Sequence, residues 1–158
     1  MDLGLDQQVF VVTGGGRGLG RATADLLVAE GARVVLSGRD QETVGRAAQE
    51  LGDNAVGVAA DNADPATADR LVTAAKETWG RLDGALISVG GPPPGSIMDT
   101  PDEAWSSSFD SVFLGALRIA RAVATAVDGP GSISATPEAL CRTAVAIIPG
   151  RPRNFRST

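Results

Sequence analysis

The sequence predicts an α/β fold built on a doubly wound parallel sheet that is incomplete at its C-terminal side. Three observations predict it. Short apolar runs alternate with segments of helical periodicity from Val9 onward, the pattern of successive strand–helix units whose strands lie parallel. A glycine-rich turn, Thr13-Gly14-Gly15-Gly16-Arg17-Gly18-Leu19-Gly20, follows the first apolar run directly and opens the first helical segment. The alternation is readable as far as a fifth strand, so that residues 1–135 read as one nucleotide-binding domain and 136–158 as a divergent tail. A chain of 158 residues is long enough to bury about 70% of the surface its unfolded form exposes.

The first strand is Val9 to Val12. After the turn, Leu19, Ala22, Thr23, Leu26 and Leu27 recur at helical spacing, with Gly31 placed as a C-terminal cap. A second strand, Arg33 to Ser37, precedes a helix near Gln41 to Leu51, whose Val44, Ala47, Ala48 and Leu51 share a face and whose stop is Gly52. A third strand, Ala55 to Ala59, leads to Asp61-Asn62-Ala63-Asp64-Pro65, where Asp64 is placed to cap a helix and Pro65 to begin it. That helix runs to Trp79-Gly80. The fourth strand is Gly84 to Ser88, followed by the proline-rich loop Gly90 to Gly95. Thr100-Pro101-Asp102-Glu103 reads as a capping box with Pro101 at the first helical position, opening a long helix through Trp105, Phe109, Val112, Phe113, Ala116, Leu117, Ala120 and Val123. Ser132 to Ala135 is a short fifth strand. Thr136-Pro137-Glu138 resembles another helix start, Ala139 to Ile148 suits a short helix or a strand, and Pro149-Gly150 breaks either.

Composition narrows the function classes. Net charge is −5, with the last 28 residues carrying four Arg against one Glu, so the body is acidic and offers no electrostatic footprint for nucleic acid. The Arg151-Pro152-Arg153-Asn154-Phe155-Arg156 segment is too slight to reverse that expectation. No apolar run reaches the 18 residues a membrane span needs, and Met1 to Gln8 lacks the features of a signal peptide, so a cytoplasmic location is expected. Cys141 stands alone and there is no His; neither an internal disulfide nor a zinc site is expected.

A glycine-rich turn between a buried strand and a helix lets the backbone approach a pyrophosphate while free N–H groups and the positive end of the helix dipole face its oxygens. Gly14, Gly18 and Gly20 are spaced Gly-x-x-x-Gly-x-Gly. A phosphate-transfer loop would follow its last glycine with Lys and then Ser or Thr, whereas Arg21 and Ala22 follow Gly20. The turn therefore points to a Rossmann-like dinucleotide site. At the end of the second strand, Ser37-Gly38-Arg39-Asp40 stands where such folds separate the two nicotinamide cofactors. A carboxylate there binds a ribose 2′-hydroxyl and a guanidinium a 2′-phosphate. Arg39, with Arg17 in the turn, favours NADP, and Asp40 keeps NAD open.

These residues resemble the classical branch of the short-chain dehydrogenase/reductase family. Thr13-Gly14-x-x-x-Gly18-Leu19-Gly20 is similar to that family's cofactor motif, and the likeness runs to about Gly131. By that resemblance Asp61, with Asn62 beside it, contacts the adenine ring. Gly38 falls where NAD-preferring relatives place an Asp, which again implies NADP. Of the family's Asn-Asn-Ala-Gly after the fourth strand, Ile87-Ser88-Val89-Gly90 keeps only Gly90, and the family's catalytic Asn falls on Val112. The resemblance implies carbonyl reduction or alcohol oxidation on a small substrate. It also implies a homo-oligomer paired through the long helix, although packing on the sheet accounts for that helix's apolar face equally.

The family's catalytic Ser-Tyr-Lys set is not present. Gly131-Ser132-Ile133 begins the expected strand, then Ser134-Ala135-Thr136-Pro137-Glu138 leaves the pattern; the chain contains no Tyr, and its one Lys, Lys76, reads as a solvated residue of the third helix. Val145 to Gly150 is similar to the strand and Pro-Gly turn that follow the family's catalytic helix, which leaves an internal deletion and an unrelated tail as alternatives. The sequence points to no catalytic residue. It fits three readings: an NADP-dependent oxidoreductase, a dinucleotide-binding module without turnover and a non-functional truncated family member.

Overall fold

In the computed structural model the described residues are 3–90, 98–127 and 129–135, with the backbone of 145–148. Six strands form one sheet: β1 (Val9–Thr13), β2 (Arg33–Gly38), β3 (Ala55–Ala59), β4 (Gly84–Ile87), β5 (Gly131–Ala135) and β6 (Val145–Ile148), in the order β3-β2-β1-β4-β5-β6. The first five are parallel, as expected. The sixth runs antiparallel to β5, with Gly131 opposite Ile148. Nine residues separate β5 from β6, and a parallel return needs a crossover of about a dozen or more.

Helices α1 (Gly18–Ala29) and α2 (Gln41–Leu51) cover one face of the sheet, while α3 (Thr67–Trp79) and α5 (Gly115–Ala126) cover the other. β1 is buried on both sides, which is why it reads as an unbroken apolar run. Its Val9 and Val11 join Val35, Leu71, Leu82, Ile87, Ile119, Val123 and Ile133 in the core under α3 and α5. Val12 joins Ala24, Val34, Leu36, Val44 and Ala47 under α1 and α2. Strand alternation thus assigns one residue in two to each layer.

Helix α2 begins and ends where Asp40 and Gly52 place it: the Thr43 amide donates to Asp40 Oδ1 at 2.7 Å, and Gly52 has φ 73°. α1 ends in a Schellman arrangement, with Gly31 N–H donating to Val28 O and Ala32 N–H to Leu27 O around a positive φ at Gly31.

Four expectations are corrected. The buried side of α1 is Gly20 and Ala24, with Leu27 and Val28 packed beside them, while Leu19 and Leu26 are 72% and 69% exposed. α3 starts at Thr67, two residues after Pro65, because Asp61 and Asp64 each fold into a tight turn: Ala63 N–H donates to Asp61 Oδ1 and Ala66 N–H to Asp64 Oδ1. Pro101 sits before the next helix, α4 (Asp102–Phe109), with an extended ψ of 155°, so it is not the first helical residue. Finally, the long helix is interrupted by a π-helical turn, Asp110–Leu114, between α4 and α5. That turn shifts the phase of the stripe, burying Ala116, Ile119 and Val123 and leaving Trp105, Phe109 and Phe113 exposed, the two Phe rings stacked at 5.0 Å. The loop beyond Gly90, the Thr136-Pro137-Glu138 helix start, Cys141, the Pro149-Gly150 turn and the arginine-bearing end lie outside the described residues.

Candidate functional site

The chain moves outward from β1 to β2 to β3, then returns to place β4 on the other side of β1. The crevice at such a reversal, outside the carboxyl ends of the strands, is where open α/β sheets bind ligands. A cavity of about 720 Å³ lies there, lined by the glycine turn, the ends of β2 and β4, the Ala60-Asp61-Asn62 segment and the π-helical turn. Its size is that of a small-molecule or cofactor site.

Seven of the ten sequence-predicted site residues line this cavity: Gly14, Arg17, Gly18, Arg39, Asp61, Asn62 and Gly90. Thr13, Leu19 and Gly20 do not. Thr13 is fully buried beneath the turn, and its hydroxyl donates to Ser88 O at 2.8 Å. Gly20 faces the turn from below: a β-carbon there would stand 2.5 Å from Gly14 O, so only glycine lets α1 approach this closely. Leu19 projects outward. Gly18 has φ 61° and open space where a side chain would stand, so the mouth of the cavity stays clear above the first helical residue.

The electrostatics of the cavity suit an anion. Arg17 occupies the N-cap of α1 without a side-chain cap hydrogen bond, and the first turn holds no acidic residue. The amide end of α1 thus keeps its positive partial charge unanswered. The Arg17 and Arg39 guanidinium groups, both on exposed residues, have no hydrogen-bond or ion-pair partner among the described residues. Arg21, one turn further on, is engaged by Asp25 and Glu50, each at 2.8 Å, and hydrogen bonding to Asp25 raises its pKa further. Asp40 also lines the cavity, but its carboxylate is committed to Thr43, whose side chain and backbone hold the Asp40 pKa below its ordinary value.

Sequence reasoning passed over three lining hydroxyls as site residues: Ser37, Thr43 and Ser111. Ser37 carried a signal, being the polar residue that follows the apolar run Val34-Val35-Leu36. Val112 also lines the wall, where the resemblance placed an Asn. Lys76 lies in the last turn of α3, partly buried and outside the cavity. Among the described residues, no helix is long and apolar enough to cross a membrane.

Comparison with known proteins agrees with this architecture. The family described as "short chain dehydrogenase" matches residues 8–136. An uncharacterized oxidoreductase of Staphylococcus aureus (strain USA300) is 38% identical over 119 residues, which make up 75% of this chain and 52% of that protein. The L-sorbose reductase of Gluconobacter frateurii, solved with NADPH and L-sorbose, superposes with a TM-score of 0.77 at 30% identity, over 85% of this chain and 54% of that one. A short-chain dehydrogenase/reductase of Burkholderia phymatum in complex with NAD gives 0.78 at 26% identity, over 83% and 49%. The chain spans about half the length of the curated relatives it matches.

Proposed function

The chain belongs to the short-chain dehydrogenase/reductase family, and on that premise we propose that its cavity binds NADP in preference to NAD, in the service of carbonyl reduction or alcohol oxidation on a small molecule. One observation carries the cofactor reading: at the end of β2, Asp40 spends its carboxylate on the α2 cap while Arg39 beside it has no partner among the described residues. A free guanidinium suits the doubly charged 2′-phosphate, whereas the Asp40 carboxylate, which would accept from a 2′-hydroxyl, already accepts from Thr43. Gly14, Gly18 and the uncapped end of α1 would hold the pyrophosphate, with Arg17 adding charge; Asp61 and Asn62 would flank the adenine. Thr13, Leu19 and Gly20 shape the turn, and Gly90 closes the β4 side. When bound, the nicotinamide supplies the hydride, and the protein's part is orientation and proton handling.

A second reading has its own observation. The sequence contains no Tyr, and a missing general acid typically costs about 10² to 10⁴ in rate. Ser88 lines the cavity, and its hydroxyl is hydrogen-bonded to no base among the described residues, so a dinucleotide-binding module without turnover accounts for the same cavity.

Titration of the purified chain with NADPH and NADH, followed by energy transfer from Trp79 and Trp105 to the nicotinamide, tests the cofactor reading. NADPH is expected to bind more tightly, and Arg39→Ala to weaken NADPH about tenfold or more while leaving NADH nearly unchanged. Equal binding of the two cofactors to the wild type would remove the NADP preference. Steady NADPH consumption with a carbonyl substrate separates enzyme from module.

A further inference from the structure

Two leucines of α1, Leu19 and Leu26, stand largely exposed on one flank of the helix. Arg21 fixes which flank this is. Its guanidinium is held by Glu50 of α2, and at about 100° per residue both leucines lie about 150° round the helix from it, on the side away from α2. Beyond that side the sheet is covered on one face only, among the described residues. Gly84 and Leu86 of β4 stand level with Phe10 and Val12 on the α1 face, and Ser132 and Ser134 of β5 stand level with them. Both serines are exposed and Leu86 is half-buried, whereas Ala85, Ile87 and Ile133 on the opposite face are buried. Parallel sheets are almost always covered on both faces, so the flank of α1 and this strip of sheet form an unfilled ledge.

We propose that this flank is an interface between two copies of the chain, paired antiparallel through α1 about a two-fold axis. The flank is self-complementary. Leu19 and Leu26 are two turns apart with Ala22 and Thr23 midway, so an antiparallel pair sets each Leu19 against the Leu26 of the second copy and brings only small side chains to the crossing. Charge agrees with this pairing. Glu30 ends α1, and its carboxylate has no ion-pair partner among the described residues. In the antiparallel pair it falls about 3 Å along the axis from the Arg17 of the second copy, whose guanidinium is likewise unpartnered, at the uncapped positive end of that helix. Arg21 and Asp25, paired with each other on the opposite flank, stay clear of the contact. The other exposed apolar stripe, Trp105, Phe109 and Phe113, lacks such a match. Asp99, Asp102, Glu103 and Asp110 accompany it, with no Lys or Arg between Asp99 and Gly115, so self-pairing there sets acid against acid.

Sedimentation velocity of the full chain from about 5 to about 500 μM, the range in which a small interface dissociates, tests this. The wild type is expected to pass from monomer to dimer across that range. Leu26→Glu, which would bury an unpaired charge, is expected to weaken the dimer about tenfold or more, while Leu26→Met keeps it within about threefold. Glu30→Arg, which sets like charges together, is expected to weaken it about threefold or more, and most at low salt. Phe109→Glu is expected to leave the dimer unchanged. Leu26 is exposed and lies outside the cavity, so at dilutions where the chain is monomeric Leu26→Glu is expected to melt and to bind NADPH as the wild type does. A wild type that stays monomeric throughout overturns the proposal. So does a dimer that survives Leu26→Glu, and its loss in Phe109→Glu would then place the contact on α4.

Discussion

Gly115, the first residue of α5, is packed so closely against Asn62 that a β-carbon on it would collide with the Asn62 carbonyl oxygen. In the sequence α3, β4, α4 and the π-helical turn lie between the two, and Arg118, one turn after Gly115, reaches Ala63 O at 3.4 Å. α5 therefore presses on the loop that supplies the Asp61 and Asn62 wall of the cavity. Gly115→Ala is expected to push this loop outward, lowering the unfolding temperature and weakening NADPH together. Thermal melts and titration of one preparation check it. A variant that melts lower yet binds NADPH normally would show that the loop moves independently of the site.

Gly45 provides the contrast. It lies inside α2, at a half-buried position where an added β-carbon meets only Gln41 Nε2, at 3.7 Å. Glycine in a helix interior costs roughly 0.5–1 kcal/mol relative to alanine, mostly through the freedom of the unfolded chain. Gly45→Ala is thus expected to stabilise the fold by about that amount in chemical denaturation, with an unchanged denaturant slope. Destabilisation would mean that the helix needs its glycine for a reason other than space.

These two glycines also mark what the sequence could and could not disclose. α2 was legible to the residue because its signals are local: Asp40 caps it and Gly52 stops it. The rotation of α1 was not. Gly20 has to meet the backbone of Gly14, a contact set by the three-dimensional course of the turn, and this takes Leu19 out of the core. The π-helical turn at Asp110–Leu114 has no local sequence signature, so one continuous stripe was read through Trp105 and Phe109 to Val123. At the cavity, the residues found by motif are those whose backbone or charge faces a phosphate. The hydroxyls of Thr43 and Ser111 were missed because helical periodicity accounts for their positions without a ligand, and Ser37 because a single polar residue after an apolar run is a weaker sign than a motif.

The Asp40 cap makes stability depend on pH. Hydrogen bonds from Thr43 lower the folded-state pKa of Asp40, while an unfolded Asp titrates at about 3.9. As pH falls through that value the unfolded chain takes up the proton first, so the contribution present above it is lost progressively below it. Asp40→Asn keeps an acceptor for the cap but carries no titrating charge. Unfolding temperatures between about pH 5 and 2.5 are expected to fall less steeply for this variant than for the wild type. Parallel curves would mean that Thr43 binds Asp40 equally well in both protonation states.

Thr13 ties the two strands that flank the crevice. The β1–β4 register runs from Phe10 opposite Gly84 to Val12 opposite Leu86. Beyond it, the Thr13 hydroxyl donates to Ser88 O at 2.8 Å, extending the tie one step further toward the cavity from a fully buried position. Thr13→Val keeps the shape but removes the donor, leaving a part-buried carbonyl with one partner fewer, at an expected cost of about 1–3 kcal/mol in chemical denaturation. Ser88 O also lies 2.9 Å from where a Gly14 β-carbon would stand, so release of the β4 end widens the gap beside the glycine turn. The variant is therefore expected to lose NADPH affinity as well, although Thr13 itself lines no part of the cavity. Unchanged stability with weakened NADPH would instead place Thr13 in contact with the ligand, contrary to its burial beneath the turn.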